Sequence, residues 1–118
     1  MPSLYHITNK VTADNIWGKG YYYSETFTQE GFIHCSYRGQ LSGVAARYYA
    51  DKKDLAVLEI DPAKLDCEIR EENLTGAMEL FPHLYGPIPE RAITAIYDFS
   101  SSTGELSERP DNGSIKVQ

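Results

Sequence analysis

Apolar and polar residues alternate along this chain in short runs with two periods, near 2 in some segments and near 3.6 in others. Leu4-Tyr5-His6-Ile7-Thr8 is β-prone and predicts a first strand. Thr12 to Trp17 predicts a brief helix, capped by Thr12 and stopped by Gly18 and Gly20. Tyr21 to Ser24 fits a strand or an extended loop, and the pattern leaves both open. Gly31-Phe32-Ile33-His34-Cys35-Ser36 predicts a second buried strand opened by a glycine. The clearest helix runs from Gln40 to Ala50, where Leu41, Val44, Ala45 and Tyr48 form an i, i+3, i+4, i+7 stripe without proline. Leu55 to Ile60 predicts a strand ended by Asp61-Pro62, and Cys67 to Arg70 predicts another. Glu79 to Leu84 is extended, but Pro82 makes it an edge or a bend. Pro87 and Pro89 form a rigid connection to a last apolar strand, Ala92 to Phe99. From Ser100 onward serine, glycine and charge dominate, which predicts a single domain over 1–99 and a mobile tail over 100–118. The result is an α+β domain of about six strands and two helices. The strands at 4–8, 31–36, 55–60 and 92–99 should share one core, with the helix packed on it through Leu41, Val44 and Tyr48.

Length and charge narrow the classes of function. A chain of 118 residues buries roughly two-thirds of its unfolded surface and needs no metal or disulfide to fold. Asp and Glu number 17 against 11 Lys and Arg, for a net charge of −6. Duplex nucleic acid is held through Lys and Arg, so it is not an expected partner, whereas a local basic patch can still receive a small anion. No apolar stretch approaches the ~20 residues of a membrane helix. Met1-Pro2-Ser3-Leu4 carries neither a charged n-region nor an apolar h-region, so a cytoplasmic protein is expected, with its protein partners unknown. In that compartment Cys35 and Cys67 read as two inert thiols rather than a disulfide. Tyrosine is abundant, 9 against 4 Phe and 1 Trp; it suits cleft walls, where the ring packs and the hydroxyl stays wet.

Strand alternation then sorts the chemistry. Leu4, His6 and Thr8 share one face of the first strand, and Phe32, His34 and Ser36 share one face of the second. Glu79, Phe81 and His83 share a third. All three histidines thus lie in short apolar strands on faces where polar residues recur, which points to a polar cleft or to three structural histidines satisfying buried backbone groups. The spacings H-x-x-x-H and C-x-x-C are absent, so no metal site is expected. Adjacent His34 and Cys35 face opposite ways, Ser36 lacks a G-x-S-x-G elbow, and Gly18-Lys19-Gly20 is no phosphate loop. The acidic residues between Asp66 and Glu72 read as a solvated strand end.

Four segments carry a resemblance: Leu4-Tyr5-His6-Ile7-Thr8, Glu30-Gly31-Phe32-Ile33-His34-Cys35-Ser36, Leu58-Glu59-Ile60-Asp61-Pro62, and Glu79 through Pro89. In this order they resemble the mainly bacterial domain-of-unknown-function family 952, over about residues 3–99. That family is in turn similar to the ADP-ribosyltransferases. The resemblance implies an ADP-ribosyltransferase-like fold, with two packed β-sheets around a cleft and one or two helices. It also implies NAD as a candidate substrate, with no covalently bound cofactor. By that likeness His6 would bind a ribose, His34 would lie near the nicotinamide, and Glu79 would stabilise the cationic sugar as its glycosidic bond breaks. The sequence departs from the pattern where Ile7 follows His6, where His34 replaces a common tyrosine, and where Pro82 and His83 closely follow Glu79.

The combined expectation is a polar cleft in which Glu79 and His34 are catalytic and His6, Thr8, His83, Tyr85 and Arg38 bind the ligand, with Arg38 offsetting an anion's charge. The activity would be NAD-dependent ADP-ribosyl transfer or a related glycosidic cleavage. The alternative is a binding module that holds a nucleotide-like metabolite without turnover. Both require His6, His34 and Glu79 within roughly 10 Å of one another, since ligand sites converge a few polar groups.

Overall fold

A computed structural model of the chain describes residues 2–73 and 79–109. Its elements are β1 (Leu4–Asn9), α1 (Lys10–Asp14), β2 (Tyr21–Tyr22), α2 (Phe27–Glu30), β3 (Ile33–His34), α3 (Leu41–Tyr48), β4 (Leu55–Ile60), β5 (Ile69–Glu72), β6 (Phe81–Leu84), β7 (Ile88–Pro89), β8 (Ile93–Ser100) and β9 (Glu105–Glu108). This is a small α+β fold with antiparallel sheets and few helices.

The run Leu55-Ala56-Val57-Leu58 is apolar at every position, as befits a strand covered on both faces. β4 is accordingly central in a four-stranded sheet of order β1-β4-β8-β9. On one face Leu4, Ala56, Leu58, Ile60 and Ile96 pack against Ile33, Leu84 and Ile88 of two smaller sheets. On the other, Tyr5, Ile7, Leu55, Val57 and Phe99 meet Leu41 and Ala45 of α3. The smaller sheets are β3-β6-β5 and the pair β2-β7. Reciprocal backbone bonds of 2.8 Å between Tyr5 and Ser36 tie the edge of β1 to the chain leaving β3. There are thus three sheets among the described residues rather than the two expected.

Several local expectations shift for physical reasons. The first helix begins at Lys10 rather than Thr12, because the Asn9 side chain caps it, accepting from the Thr12 N–H at 2.7 Å. Gly31 does not open a long strand; it closes α2 at φ 81°, a left-handed turn suited to glycine, and β3 shrinks to two residues. On α3, Leu41 and Ala45 are buried as the stripe requires, but Tyr48 is 50% exposed. The helix unwinds at Tyr49 (φ −128°), and that ring packs on the core instead. β6 is the middle strand of its sheet despite Pro82, whose carbonyl accepts from the Cys35 N–H at 3.1 Å where β3 has already ended. β5 begins two residues later than the Cys67–Arg70 expectation. The segment expected as a tail from Ser100 contributes β9, whose Leu106 lies opposite Phe99. Residues 110–118 lie outside the described residues.

Gly86 marks a close approach. Cys67 faces it just beyond the paired ends of β5 and β6, and a Cβ added at Gly86 would lie 2.5 Å from the Cys67 Cβ, far inside the ~4.5–5.5 Å of ordinary cross-strand pairs. We expect Gly86→Ala to cost about 2 kcal/mol of stability in denaturant unfolding, the range for overpacking. Adding Cys67→Gly should restore part of that loss, a coupling that independent sites would not show.

Candidate functional site

His6 stands on β1 opposite Leu58 of β4 and is 5% exposed. Its Nδ1 lies 2.7 Å from the His34 carbonyl oxygen. A carbonyl only accepts, so Nδ1 carries the hydrogen. Nε2 is left to accept from the Tyr22 hydroxyl at 2.9 Å, and that hydroxyl oxygen sits 3.4 Å from Thr8 Oγ1. Burial drives the His6 pKa from 6.5 down to about 4, with the bond to His34 opposing only in part. The ring is therefore a neutral strut with both nitrogens engaged. Burial also pushes the Tyr22 phenol up to about 12.

A second cluster lies on the neighbouring sheet. His34 of β3 is paired directly with His83 of β6, and their rings are 5.1 Å apart. Phe32 stacks on His83 at 4.4 Å. The Gly31 turn brings Glu30 back so that both its carboxylate oxygens lie 3.1 Å from His34 Nε2. Buried His83 donates from Nδ1 to Glu72 at 3.0 Å, and the Tyr85 hydroxyl donates to the same oxygen at 2.5 Å. The Tyr85 bond first, then the His83 bond, hold the Glu72 carboxyl below its usual range. Arg70, 3.0 Å from Glu68, lies over the Tyr85 ring at 4.4 Å.

The two clusters border two adjoining cavities. One, of about 370 Å³, is lined by His6, Thr8, Tyr22, Glu25, Lys52 and Lys53 among others. The second, of about 400 Å³, is lined by Cys35, Tyr48, Glu72, Phe81 and His83. His34, Ser36, Val44 and Tyr49 belong to both, so the cavities meet at the end of β3.

Of the residues expected from sequence, His6, Thr8, His34 and His83 line these cavities. Tyr85 stands one hydrogen bond behind Glu72. Arg38 lies over the Tyr5 ring at 5.8 Å and lines neither cavity. Exposed Glu79 also lines neither; it accepts from Gln40 Nε2 at 3.3 Å, an amide that also bonds the Leu80 carbonyl. His6 and His34 are therefore brought together, and Glu79 is held on Gln40. Tyr22, Tyr49, Lys52, Lys53 and Glu72 line the cavities without having been singled out by any motif or spacing. Alternation puts Glu72 on the face of Arg70, but only the register of β5 with β6 sets Arg70 opposite His83 and so brings Glu72 to it. Among the described residues no three His, Cys, Asp or Glu side chains group to hold a metal. Burial pushes the Cys35 thiol well above its ordinary range, so it is protonated and inert.

The His6 shift has a pH consequence. Its folded pKa is depressed, so the stabilisation is present above the unfolded value of 6.5 and is lost as pH falls toward about 4. That loss should reach about 3 kcal/mol. The check is the His6 ring-proton resonance, which should stay in its neutral position until pH nears 4, while His6→Gln removes this part of the acid slope.

The fold recurs in CC0527 from Caulobacter crescentus. Its X-ray crystal structure aligns over 97% of this chain and 98% of that chain, at 23% identity and TM-score 0.70. Its solution NMR structure covers 100% of both chains at 23% identity and TM-score 0.69. At that identity the likeness is one of fold. No curated protein matches the chain. A family model described as "Protein of unknown function (DUF952)" matches residues 7–96, and the chain belongs to that family.

Proposed function

We propose that the joined cavities bind a small, nucleotide-like metabolite bearing phosphate. The observation that carries this reading is their division of labour. Lys52 and Lys53 border the first cavity, while Tyr48, Phe81 and His83 border the second, with His34 and Tyr49 at the junction. A cation pair suits a phosphate, and an aromatic wall suits a flat ring. In a chain of net charge −6, those two lysines supply the local compensation expected from Arg38.

The likeness to ADP-ribosyltransferases makes NAD and ADP-ribose natural probes. Binding is favoured over transfer by the positions of Glu79 and His6. Glu79 is exposed and held by Gln40, and both nitrogens of His6 are engaged by protein groups. A carboxylate stabilises a developing sugar cation only where it can face the reacting bond.

Thermal shift and calorimetry with NAD, ADP-ribose and AMP test the reading. At least one should raise the melting temperature with ligand concentration, because binding to the native state stabilises it by mass action. Lys52→Glu with Lys53→Glu should weaken that ligand by about tenfold or more at low salt, with a smaller effect at high salt. Both lysines are exposed, so the fold should survive the change. No shift from any of the three would overturn the proposal. Nicotinamide release from NAD that falls in Glu79→Gln would replace it with glycosidic transfer.

A further inference from the structure

We infer that the second cavity selects a heterocycle carrying an amino or carboxamide NH₂ group, with His83 as the acceptor that reads it. This inference rests on the binding reading above and adds the chemistry of the recognised ring.

The Glu72 carboxylate takes a bond from His83 Nδ1 at 3.0 Å, so Nδ1 is the donor, and in the neutral form of the ring Nε2 is then the acceptor. Nε2 has no partner among the described residues, and the ring lines the second cavity. The ring cannot readily turn to offer its other edge. Phe32 stacks on it at 4.4 Å, and the Tyr85 hydroxyl anchors Glu72 at 2.5 Å. His34 repeats the arrangement: Glu30 engages Nε2 at 3.1 Å, which leaves Nδ1 as a second acceptor on a ring 5.1 Å from the first.

An acceptor on the cavity wall complements an N–H donor on the ligand and repels an oxo group in the same place. The remaining walls include Phe81, Tyr48, Tyr49 and Val44, which suit the flat, apolar body of such a ring. A site built around a hydrogen-bond acceptor favours the ligand that carries the donor, because the analogue lacking it forgoes that bond.

The test is calorimetry of the full chain with AMP and with purine riboside 5′-monophosphate, which differ only in the exocyclic amino group. AMP should bind about five- to tenfold more tightly, the worth of one neutral hydrogen bond. His83→Phe keeps a ring stacked on Phe32 but removes the acceptor, so the gap between the two nucleotides should close. Glu72→Gln releases the constraint on which His83 nitrogen holds the hydrogen, and should narrow the gap more than it lowers affinity for purine riboside monophosphate. Equal affinity of the wild-type protein for the two nucleotides would overturn this inference and leave nucleotide binding intact. A gap that persists in folded His83→Phe would overturn it as well. Failure of both nucleotides, NAD and ADP-ribose to bind would instead remove the reading beneath it. If His83→Phe does not fold, the wild-type comparison and Glu72→Gln still decide.

Discussion

One buried imidazole joins the three sheets. His6 belongs to β1 of the four-stranded sheet, its Nδ1 reaches the His34 carbonyl of β3, and its Nε2 reaches Tyr22 of β2. Each bond is worth only about 1 kcal/mol net, but a buried nitrogen or carbonyl left without its partner costs about 1–3 kcal/mol. The constraint is therefore one of arrangement: the small sheets must meet β1 where these three polar groups satisfy one another. Ser36 reinforces the same junction through its two backbone bonds to Tyr5. The cavities lie against this junction, so the strut that aligns the sheets also shapes their common border at His34.

Around that strut the three histidines divide into two kinds. His6 is enclosed and neutral, and burial dominates its behaviour. His34 and His83 each hold a carboxylate, Glu30 and Glu72, that takes one ring nitrogen and leaves the other. The difference follows from what surrounds each ring. His6 meets a carbonyl and a phenol, which fill both nitrogens. His34 and His83 meet acids on one side and a cavity on the other. A chain rich in acids can thus build a local site in which carboxylates orient histidines while Lys52 and Lys53 stand at the adjoining cavity.

Much of the architecture was legible in the residues themselves. Leu55 to Ile60 read as a core strand, and the Leu41, Val44, Ala45 and Tyr48 stripe implied a helix on the β core, correct at Leu41 and Ala45 though not at half-exposed Tyr48, because burial periodicity is a local property of the chain. The association of His6 with His34 was legible in part, since alternation placed each histidine on a polar face. What could not be read was anything set by register between distant strands. Glu72 looked solvated until β5 was aligned with β6, which turned it toward His83. Glu79 kept the parity of His83 yet ended on Gln40, because β6 begins only at Phe81 and Glu79 precedes the paired segment. The lysines at 52 and 53 have no pattern at all; they reach the first cavity only because the chain between α3 and β4 passes its edge. Periodicity along the sequence decides which faces are apolar. Which polar side chains converge depends on pairings across tens of residues, and those are decided only when the sheets assemble.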